Sequence, residues 1–388
     1  MKVVIVSHTA VIDVYQDIFR EQAKYKDTEL TLIIPREYKE GPAVTEGYEG
    51  DGTYRVIKLP AVMGKSGRQN GHFYRGLRAV LKRIAPDIIQ LDEEPESIVS
   101  WQAIRIAKSL PTRPKIIMMS YRNQDMNFHE LWGALSYQRY LYSALTRYTL
   151  KNIDHMDLSN YEGVDIFRRA GYTFPITVIP GFGVNANEFC KAPPPKEIVE
   201  KYNLSGVVIG FVGRLLQMKG IATLLKAVAS IKDDYTLFLV GWGPDKDAFA
   251  ALARELGIES KVRFTGGVPF RDVIQYIRCM NMMVLPSLTT KMWKEQFGRV
   301  LAEAMACEVP VIGSSSGEIP AVIGDAGLVF PEGNAEELAK RISYLMENAD
   351  RRRAIGAQCR QRVLDNFSNA KLAEKFHELY MGIMSAEL

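Results

Sequence analysis

Short apolar runs rich in β-branched residues alternate with longer amphipathic stretches from one end of the chain to the other. Runs of this kind predict strands that are buried on both faces, and the amphipathic stretches between them predict crossover helices. The alternation is typical of an α/β fold built on parallel sheets. In the first half of the chain the predicted strands are Val3–Val6, Leu30–Ile34, Arg55–Leu59, Asp87–Leu91, Lys115–Met119, His155–Leu158 and Ile176–Ile179.

The second half of the chain repeats this alternation, so the pattern predicts a second doubly wound sheet. Between the halves, the run Pro193-Pro194-Pro195 can continue neither a helix nor a central strand, and we expect a linker over residues 181–200. From Asn334 onward the pattern is helical and ends in a helix from Ala370 to about Ala386. The predicted strands of the second half are Val207–Val212, Thr236–Val240, Val262–Phe264, Met282–Leu285, Val309–Ile312 and Leu328–Phe330.

Composition places the chain among ordinary globular proteins. Of its 388 residues, 47% are hydrophobic and 24% charged, and no apolar run approaches the roughly 20 residues that a membrane-spanning helix needs. A formal charge of +4 is too small to indicate nucleic-acid binding. The first apolar run is too short for a signal peptide, and the four cysteines form no C-x-x-C pair. We therefore expect reduced thiols and a cytoplasmic protein.

The first candidate for chemistry is the segment from Gly213 to Gly220, which directly follows a predicted strand. Ligands of open parallel sheets bind beyond the carboxyl ends of the strands. Here a glycine allows close approach of the backbone, and Arg214 and Lys219, five positions apart, can flank one anion. The segment predicts a diphosphate clamp, and the alternative is an ordinary turn with two solvated cations.

The second candidate is the segment from Glu295 to Glu303, after the strand that ends at Pro286. A helix that begins near Gly298 would leave backbone N–H groups pointing beyond the strand ends, where an anion or a sugar oxygen fits. Glu295 would lie ahead of the helix and Glu303 inside it, so the two carboxylates could reach different parts of one ligand. Taken alone, the two residues are better explained as an exposed loop glutamate and a glutamate on a helix face, so the context must support a binding role.

Taken in order, these motifs resemble those of a known family. Glu295 and Glu303 form an E-x7-E pair around Phe297-Gly298, and the clamp has the form G-R-x4-K-G. Gly241-Trp242-Gly243-Pro244 follows the next strand, and Val178-Ile179-Pro180-Gly181 stands at the domain junction. The set resembles the retaining GT-B glycosyltransferases of family 4, the glycosyltransferase group 1 proteins, over residues 176–330.

The resemblance implies an architecture. It implies two Rossmann-like doubly wound domains that face a cleft, with the last helix crossing back onto the first domain. The expected limits are residues 1–182 for an acceptor-binding domain, 183–368 for a donor-binding domain and 369–388 for the returning helix.

The resemblance also implies roles for particular residues. Arg214 and Lys219 would neutralise the diphosphate of a nucleotide-sugar donor, which makes the reaction independent of metal ions. Glu303 would bind the ribose, and Glu295 would bind hydroxyl groups of the donor sugar. The remaining donor-binding positions that the resemblance implies are Gly213, Gly266, Gly267, Val268, Phe297, Gly298, Arg299 and Val300.

The first half of the chain departs from the family pattern in two places. Its first strand is followed by residues 7–11, Ser-His-Thr-Ala-Val, without the glycine pair that many relatives have there. The strand ends at residues 92–95 and 120–124 contain no histidine, although many relatives place one near the donor. We therefore take Glu93 or Glu94 as the group that orients or deprotonates the acceptor, with Asn123 nearby. The alternative is that these acids only cap the helix that begins near Ser97.

Other polar clusters have simpler explanations. Asp245-Lys246-Asp247 opens a helix, and its acids suit the helix dipole. The histidines show no ligand spacing, so we expect no metal site; His8 is interpreted as a polar residue at a strand end. Residues 65–84 are basic without acids, and a helix over Phe73–Ile84 would suit anionic lipid or a lipid-linked acceptor. The alternative for this segment is a solvated helix face.

The expected function is transfer of a hexose, with retained configuration, from a nucleoside diphosphate sugar to a saccharide or lipid-linked acceptor. We expect a UDP-sugar as donor substrate, no separate cofactor, and a role in polysaccharide or glycolipid synthesis at the inner face of the membrane. Two alternatives stay open at this point: a nucleotide-sugar epimerase on the same fold, and a non-catalytic protein that binds nucleotide-sugars.

Overall fold

The structure is a computed structural model, and it describes residues 1–40, 43–64, 69–125 and 137–385. Its contacts divide the chain into two compact units. The first unit comprises Met1–Gly181 together with Leu372–Leu388, and the second comprises Phe182–Lys371. The start of the basic segment, residues 65–68, and one of the five histidines, His129, lie outside the described residues.

The first unit is built on a parallel sheet of seven strands in the order β11-β10-β9-β8-β1-β2-β5. Its central strands are buried along their whole length, as expected for a parallel sheet covered by helices on both faces. All seven strands of the first half were predicted, each to within one residue at either end. The strands are β1 (Lys2–Ser7), β2 (Glu29–Pro35), β5 (Arg55–Leu59), β8 (Ile88–Asp92), β9 (Lys115–Ser120), β10 (His155–Leu158) and β11 (Ile176–Val178).

Helices cover this sheet, and the last helix of the chain is one of them. Leu372, Phe376 and Tyr380 are buried in the same hydrophobic cluster as residues of β1 and β2. The Tyr380 hydroxyl donates a hydrogen bond of 2.6 Å to the side chain of Gln90 on β8. The helices of this unit are Asp17–Gln22, Leu77–Ile84, Ile98–Ala107, Tyr137–Leu150, Glu162–Arg169 and Asn369–Ser385.

Two short antiparallel ribbons in the first unit were missed. They are β3 (Glu37–Glu40) with β4 (Ala43–Glu46), and β6 (Ala61–Val62) with β7 (Phe73–Tyr74). The predicted helix over residues 73–84 is therefore wrong at its start. Gly76 takes a left-handed backbone conformation (φ 85°), and the backbone N–H of Tyr74 donates to the side chain of Gln102 at 2.9 Å. The helix begins only at Leu77.

The second unit is built on a parallel sheet of six strands in the order β14-β13-β12-β15-β16-β17. Five of the six predicted strands agree to within one residue at each end. The sixth was predicted over residues 309–312 and runs two residues later, because Val309 and Pro310 lead into it from the preceding helix. The strands are β12 (Val207–Val212), β13 (Tyr235–Val240), β14 (Val262–Phe264), β15 (Met282–Leu285), β16 (Val311–Ser314) and β17 (Leu328–Phe330).

The helices of the second unit pack on both faces of its sheet and bury one continuous hydrophobic core. Long amphipathic helices close the unit at its end, as the sequence pattern predicted from Asn334 onward. The helices are Lys196–Lys201, Ile221–Ala229, Lys246–Glu255, Val273–Ile277, Arg299–Ala306, Ile319–Ile323, Ala335–Met346 and Ala349–Asn366.

The four cysteines are free thiols, and three of them are buried. Among the described helices, none has both the length and the apolar composition that crossing a bilayer requires.

Candidate active site

Most of the predicted donor-binding residues follow four neighbouring strands of the second unit. The strands β14, β13, β12 and β15 lie side by side and run in the same direction. Their carboxyl ends therefore meet at one edge of the sheet, which is where open parallel sheets bind ligands. We call this edge the donor edge; it comprises residues 213–220, 241–245, 265–270 and 286–303.

The structure joins Lys219 directly to Glu295. The Lys219 ammonium lies 2.8 Å from Oε2 of Glu295, and the Ser287 hydroxyl donates to the same oxygen at 2.9 Å. The ammonium also lies 4.4 Å from the centre of the Trp293 ring. Because Glu295 is only 8% exposed and Lys219 is half-buried, the carboxylate and the ring hold the ammonium in a fixed position at the donor edge.

Close approach of two loops produces this arrangement. Gly220 has a left-handed backbone (φ 70°) and begins the helix Ile221–Ala229. A Cβ atom on Gly220 would lie 1.8 Å from the carbonyl oxygen of Pro286, in the loop after β15. The backbone N–H of Leu288 also donates to the carbonyl of Met218 at 2.8 Å. Glycine at position 220 therefore brings the segment that carries Lys219 against the loop that leads to Glu295.

We expect Gly220→Ala to lower the free energy of unfolding by about 3 kcal/mol or more, because it adds a backbone clash to a left-handed strain. Gly257→Ala is the matched control. Gly257 has nearly the same backbone angle (φ 68°), but open space surrounds its Cβ position, so the cost should be about 1 kcal/mol. Urea unfolding followed by circular dichroism measures both variants. Equal losses would show that the two loops are not in close contact.

The helix Arg299–Ala306 begins where the sequence analysis placed it. Gly298 precedes it in a left-handed conformation (φ 76°), and a Cβ atom there would lie 2.9 Å from Leu285. The first backbone N–H groups of a helix have no partner within it, so Arg299 and Val300 present donors at the donor edge. The side chain of Phe297 is buried, and its ring packs against that of Phe367. Phe297 therefore anchors the segment, and only its backbone is suited to contact a ligand.

Glu303 forms an ion pair with Arg299, another of the predicted donor-binding residues. Nε of Arg299 lies 2.7 Å from Oε1 of Glu303, one helical turn away. Glu303 is 4% exposed, and this burial raises the pKa of its carboxyl group, while Arg299 acts in the opposite direction. The Arg299 guanidinium also lies 5.2 Å from the centre of the Phe270 ring. The pair holds the Glu303 carboxylate in one orientation.

Arg214 has a different neighbour from Lys219. Its guanidinium is exposed and lies 5.9 Å from the centre of the Trp242 ring, in the loop after β13. A Cβ atom on Gly267 would lie 3.1 Å from that same ring. The structure therefore brings together Arg214, Trp242 and the segment from Gly266 to Val268. Arg214 was predicted to contact the diphosphate, and the segment from Gly266 to Val268 was among the predicted donor-binding positions.

The loops after β12 and β13 lie backbone to backbone. A Cβ atom on Gly241 would lie 1.9 Å from the carbonyl oxygen of Gly213, and Leu215 donates its N–H to the carbonyl of Trp242 at 2.9 Å. Asp245 accepts a hydrogen bond of 2.9 Å from the backbone N–H of Gln217 and precedes the helix Lys246–Glu255. Asp245 and Asp247 therefore stand at the start of this helix, and Asp245 also fixes the loop that carries Arg214.

In the first unit, polar residues follow β1, β8 and β9, which are neighbours in the sheet. The Ser7 hydroxyl donates to Asp92 at 2.6 Å, and burial raises the pKa of Asp92. Glu93 accepts from the backbone N–H of His8 at 3.1 Å, and Nδ1 of His8 lies 2.8 Å from its other oxygen. Glu93 is 4% exposed. Both carboxylate oxygens of Glu93 therefore contact His8, in the loop after β1.

Glu94 points toward the end of β9. It accepts hydrogen bonds from the Ser120 hydroxyl at 2.7 Å and from the Tyr121 N–H at 3.3 Å, and Arg122 lies 3.8 Å away. Burial raises its pKa and Arg122 lowers it, yet 29% of the side chain remains exposed. The helix Ile98–Ala107 is capped by Ser97, which accepts from the N–H of Val99 at 3.1 Å. Neither glutamate side chain serves as that cap.

The structure also brings together three residues that sequence reasoning did not connect: His8, His72 and Glu93. They come from the loop after β1, the segment before β7 and the loop after β8. Because they are far apart along the chain, the sequence offered no spacing from which to detect them. Asn123 is buried beside the end of β9, as its position in the sequence suggested.

The donor edge combines cations, a helix start, two buried carboxylates and an exposed indole ring. Cations and unpaired N–H groups suit a diphosphate, and carboxylates suit the hydroxyl groups of a ribose or a hexose. The donor edge is thus chemically suited to a ligand that carries both a diphosphate and hydroxyl groups.

Comparison with known proteins agrees with this description. The family model described as Glycosyl transferases group 1 matches residues 196–362. D-inositol 3-phosphate glycosyltransferase from Corynebacterium aurimucosum is 30% identical over 192 residues, which cover 47% of this chain. The chain spans 44% of the length of that relative.

Two solved structures resemble the chain over nearly its whole length. Sucrose-phosphate synthase from Thermosynechococcus elongatus has a TM-score of 0.72 at 21% identity, with 100% of both chains covered. Anabaena HepE in complex with UDP has a TM-score of 0.73 at 17% identity, over 98% of this chain and 100% of that one. These likenesses, with the two parallel sheets, confirm the α/β GT-B fold class.

Residues 196–362 therefore match the group 1 glycosyltransferases, and the family resemblance that the motifs implied is confirmed.

Proposed function

We propose that the chain transfers a hexose from a nucleoside diphosphate sugar to a hydroxyl group of a saccharide or a lipid-linked acceptor. One observation carries the proposal: the Lys219–Glu295 ion pair lies beside a helix start at the donor edge. Both residues fall within the part of the chain that matches the family model. This is the chemistry that a sugar diphosphate requires, with a cation for the phosphates and a carboxylate for sugar hydroxyl groups.

In the proposed reaction the acceptor oxygen forms a bond to the anomeric carbon, and the bond from that carbon to the diphosphate breaks. The departing diphosphate gains negative charge in the transition state, so groups that bind it more strongly there accelerate the reaction. Lys219, Arg214 and the N–H groups at the helix start would supply this stabilisation without a metal ion. The hydroxyl proton would pass to the departing diphosphate.

We propose that the transfer retains the configuration at the anomeric carbon. Glu295 is held by Lys219 and Ser287, which favours hydrogen bonding to the donor sugar over nucleophilic attack. Attack on the same face as the departing diphosphate then lets that group accept the proton. This mechanism needs no covalent intermediate on the protein.

The donor nucleotide is proposed to be UDP. Trp242 is 52% exposed and adjoins Gly267, so its ring offers a surface for a base beside the loop from Gly266 to Val268. Glu303, held by Arg299, would accept hydrogen bonds from the ribose. HepE, which has the same fold, is described in complex with UDP.

For the acceptor we propose the first unit, with Glu94 as the group that contacts its hydroxyl. Glu94 keeps 29% exposure at the end of a strand, whereas Glu93 is occupied by His8. Contact with an anionic membrane or a lipid-linked acceptor would use the exposed side chains of Arg78, Lys82 and Arg83. The apolar face of their helix is buried in the core, so such contact would be electrostatic and would not insert the helix into lipid.

The test is incubation with UDP-, GDP- and ADP-hexoses and a panel of saccharide and lipid-linked acceptors, while released nucleotide is measured and products are analysed by NMR. We expect nucleotide release that depends on acceptor, and a glycoside with the configuration of the donor. A changed free sugar without acceptor would favour an epimerase, and binding without turnover would favour a non-catalytic protein. Either result would contradict the proposal.

A further inference from the structure

Three segments of the first unit converge on a cluster of two histidines and one glutamate. His8 follows β1, His72 precedes β7, and Glu93 follows β8. One potential ligand atom from each residue lies within 4.8 Å of the other two. His8 is 9% exposed, Glu93 4% and His72 0%, so the three groups meet inside the unit and away from bulk water.

The three residues are close enough to reach one ion, and two of them contact each other directly. Nδ1 of His8 lies 2.8 Å from Oε2 of Glu93, and Nε2 of His72 lies 3.9 Å from Oε1. Bonds of about 2.0–2.2 Å to a tetrahedral zinc ion put neighbouring ligand atoms about 3.3–3.6 Å apart. An ion would therefore replace the hydrogen bond between His8 and Glu93 and draw His72 closer to the carboxylate.

The surroundings of the cluster are suited to hold its ligands. The backbone N–H of His8 donates to Oε1 of Glu93 at 3.1 Å, which fixes the carboxylate. The ring of Tyr38 lies 4.9 Å from that of His8 and 5.1 Å from that of His72, and Tyr74 lies 5.5 Å from His72. Supporting hydrogen bonds and a shell of low polarity are what hold ligands in metal sites.

We propose that His8, His72 and Glu93 bind one divalent transition-metal ion, of which Zn²⁺ is the best match. Two imidazoles and one carboxylate suit Zn²⁺, whereas Mg²⁺ and Ca²⁺ prefer oxygen ligands alone. The fourth position would be taken by water. The ion would connect three segments that otherwise depend on hydrogen bonds, and so stabilise the first unit. This proposal departs from the expectation, drawn from the spacing of the histidines, that the chain has no metal site.

The proposal is tested by titrating ZnCl₂ into the chelator-treated full chain, with calorimetry for stoichiometry and Co²⁺ absorption spectra for geometry. We expect one ion per chain, a spectrum typical of a four-coordinate nitrogen and oxygen site, and a higher melting temperature with metal. His72→Ala and Glu93→Gln should weaken binding at least about ten-fold. His377→Ala is the matched control, since His377 is half-buried and lies 3.3 Å from an acid, Asp27, but stands outside the cluster.

Absence of stoichiometric binding by the parent chain would overturn the proposal, and so would binding that survives both cluster variants but is lost in His377→Ala. The Co²⁺ spectrum of the parent chain keeps the test decisive if a variant fails to fold. UDP titrated into the same preparations separates this result from the proposed function, because the donor edge lies in the second unit. Loss of UDP binding with intact zinc binding would count against the donor site alone.

Discussion

Replacing Lys219 by methionine is expected to lower kcat for sugar transfer by about 100-fold or more, with a smaller change in KM for the donor. The ammonium is held 2.8 Å from Glu295 and over the Trp293 ring, where it can stabilise charge that grows as the diphosphate departs. Removing one such preorganised donor typically costs about 10² to 10³ in rate. Steady-state kinetics at saturating donor measure the effect.

Lys261→Met is the matched control for this prediction. Lys261 also places its ammonium over an aromatic ring, 4.2 Å from the centre of Tyr235, but at the amino ends of the strands. Its replacement should leave kcat within about two-fold, since the donor edge is at the opposite end. We expect the Lys219→Met protein to fold, because Ser287 still donates to Glu295 when Lys219 is removed. Thermal unfolding of both variants checks this. A Lys219→Met protein as fast as the parent would remove Lys219 from the mechanism.

Replacing Glu303 by glutamine is expected to weaken donor binding by about ten- to hundred-fold. Hydrogen bonds to a charged group contribute about 1.5–3 kcal/mol, and each 1.4 kcal/mol is ten-fold in affinity. Glutamine keeps the size of the side chain but loses the charge that Arg299 holds in place. Calorimetry with UDP measures the change.

A UDP analogue without the ribose hydroxyl groups tests whether the loss of affinity comes from contacts to the ribose. If Glu303 binds the ribose hydroxyl groups, the parent chain should prefer UDP over 2′,3′-dideoxy-UDP, and the preference should nearly vanish in the Glu303→Gln variant. Glu336→Gln is the control, because Glu336 forms a comparable pair with Lys340 one helical turn away on an exposed helix. An undiminished preference in Glu303→Gln would place the ribose elsewhere.

The sheets were predictable because their strands are encoded locally. Runs such as Val3–Val6 and Val207–Val212 combine β-branched side chains with burial on both faces, and each lies in the middle of its sheet. The ribbons β3–β4 and β6–β7 were not predictable in this way. They are two to four residues long, carry charged residues such as Lys39, and depend on pairing with another segment.

The donor edge could be predicted in its composition but not in its contacts. The glycines and cations of residues 213–220 and the acids of residues 295–303 stand at strand ends, where the fold dictates that ligands bind. Which cation pairs with which acid depends on how the loops approach one another. The contact of Gly220 with Pro286 brings Lys219 to Glu295, and nothing local in the sequence indicates it.

The Arg299–Glu303 pair is an exception, since it could have been found. The two residues are four positions apart in a segment predicted to be helical, and opposite charges at that spacing are neighbours on a helix surface. In the first unit the reverse holds. His8 and His72 meet Glu93 only through the order of strands in the sheet, so the sequence pattern predicted separate polar residues there.

The central claim is that the donor edge of the second unit binds a nucleoside diphosphate through Lys219 and Glu303. The most direct measurement is a calorimetric titration of UDP, with GDP and ADP in parallel, into the parent chain and four variants, with and without Mg²⁺. The account predicts one nucleotide per chain, no dependence on Mg²⁺, at least about ten-fold weaker binding to Lys219→Met and Glu303→Gln, and unchanged binding to Lys261→Met and Glu336→Gln. Binding of no nucleotide, or equal binding to all four variants, would contradict it.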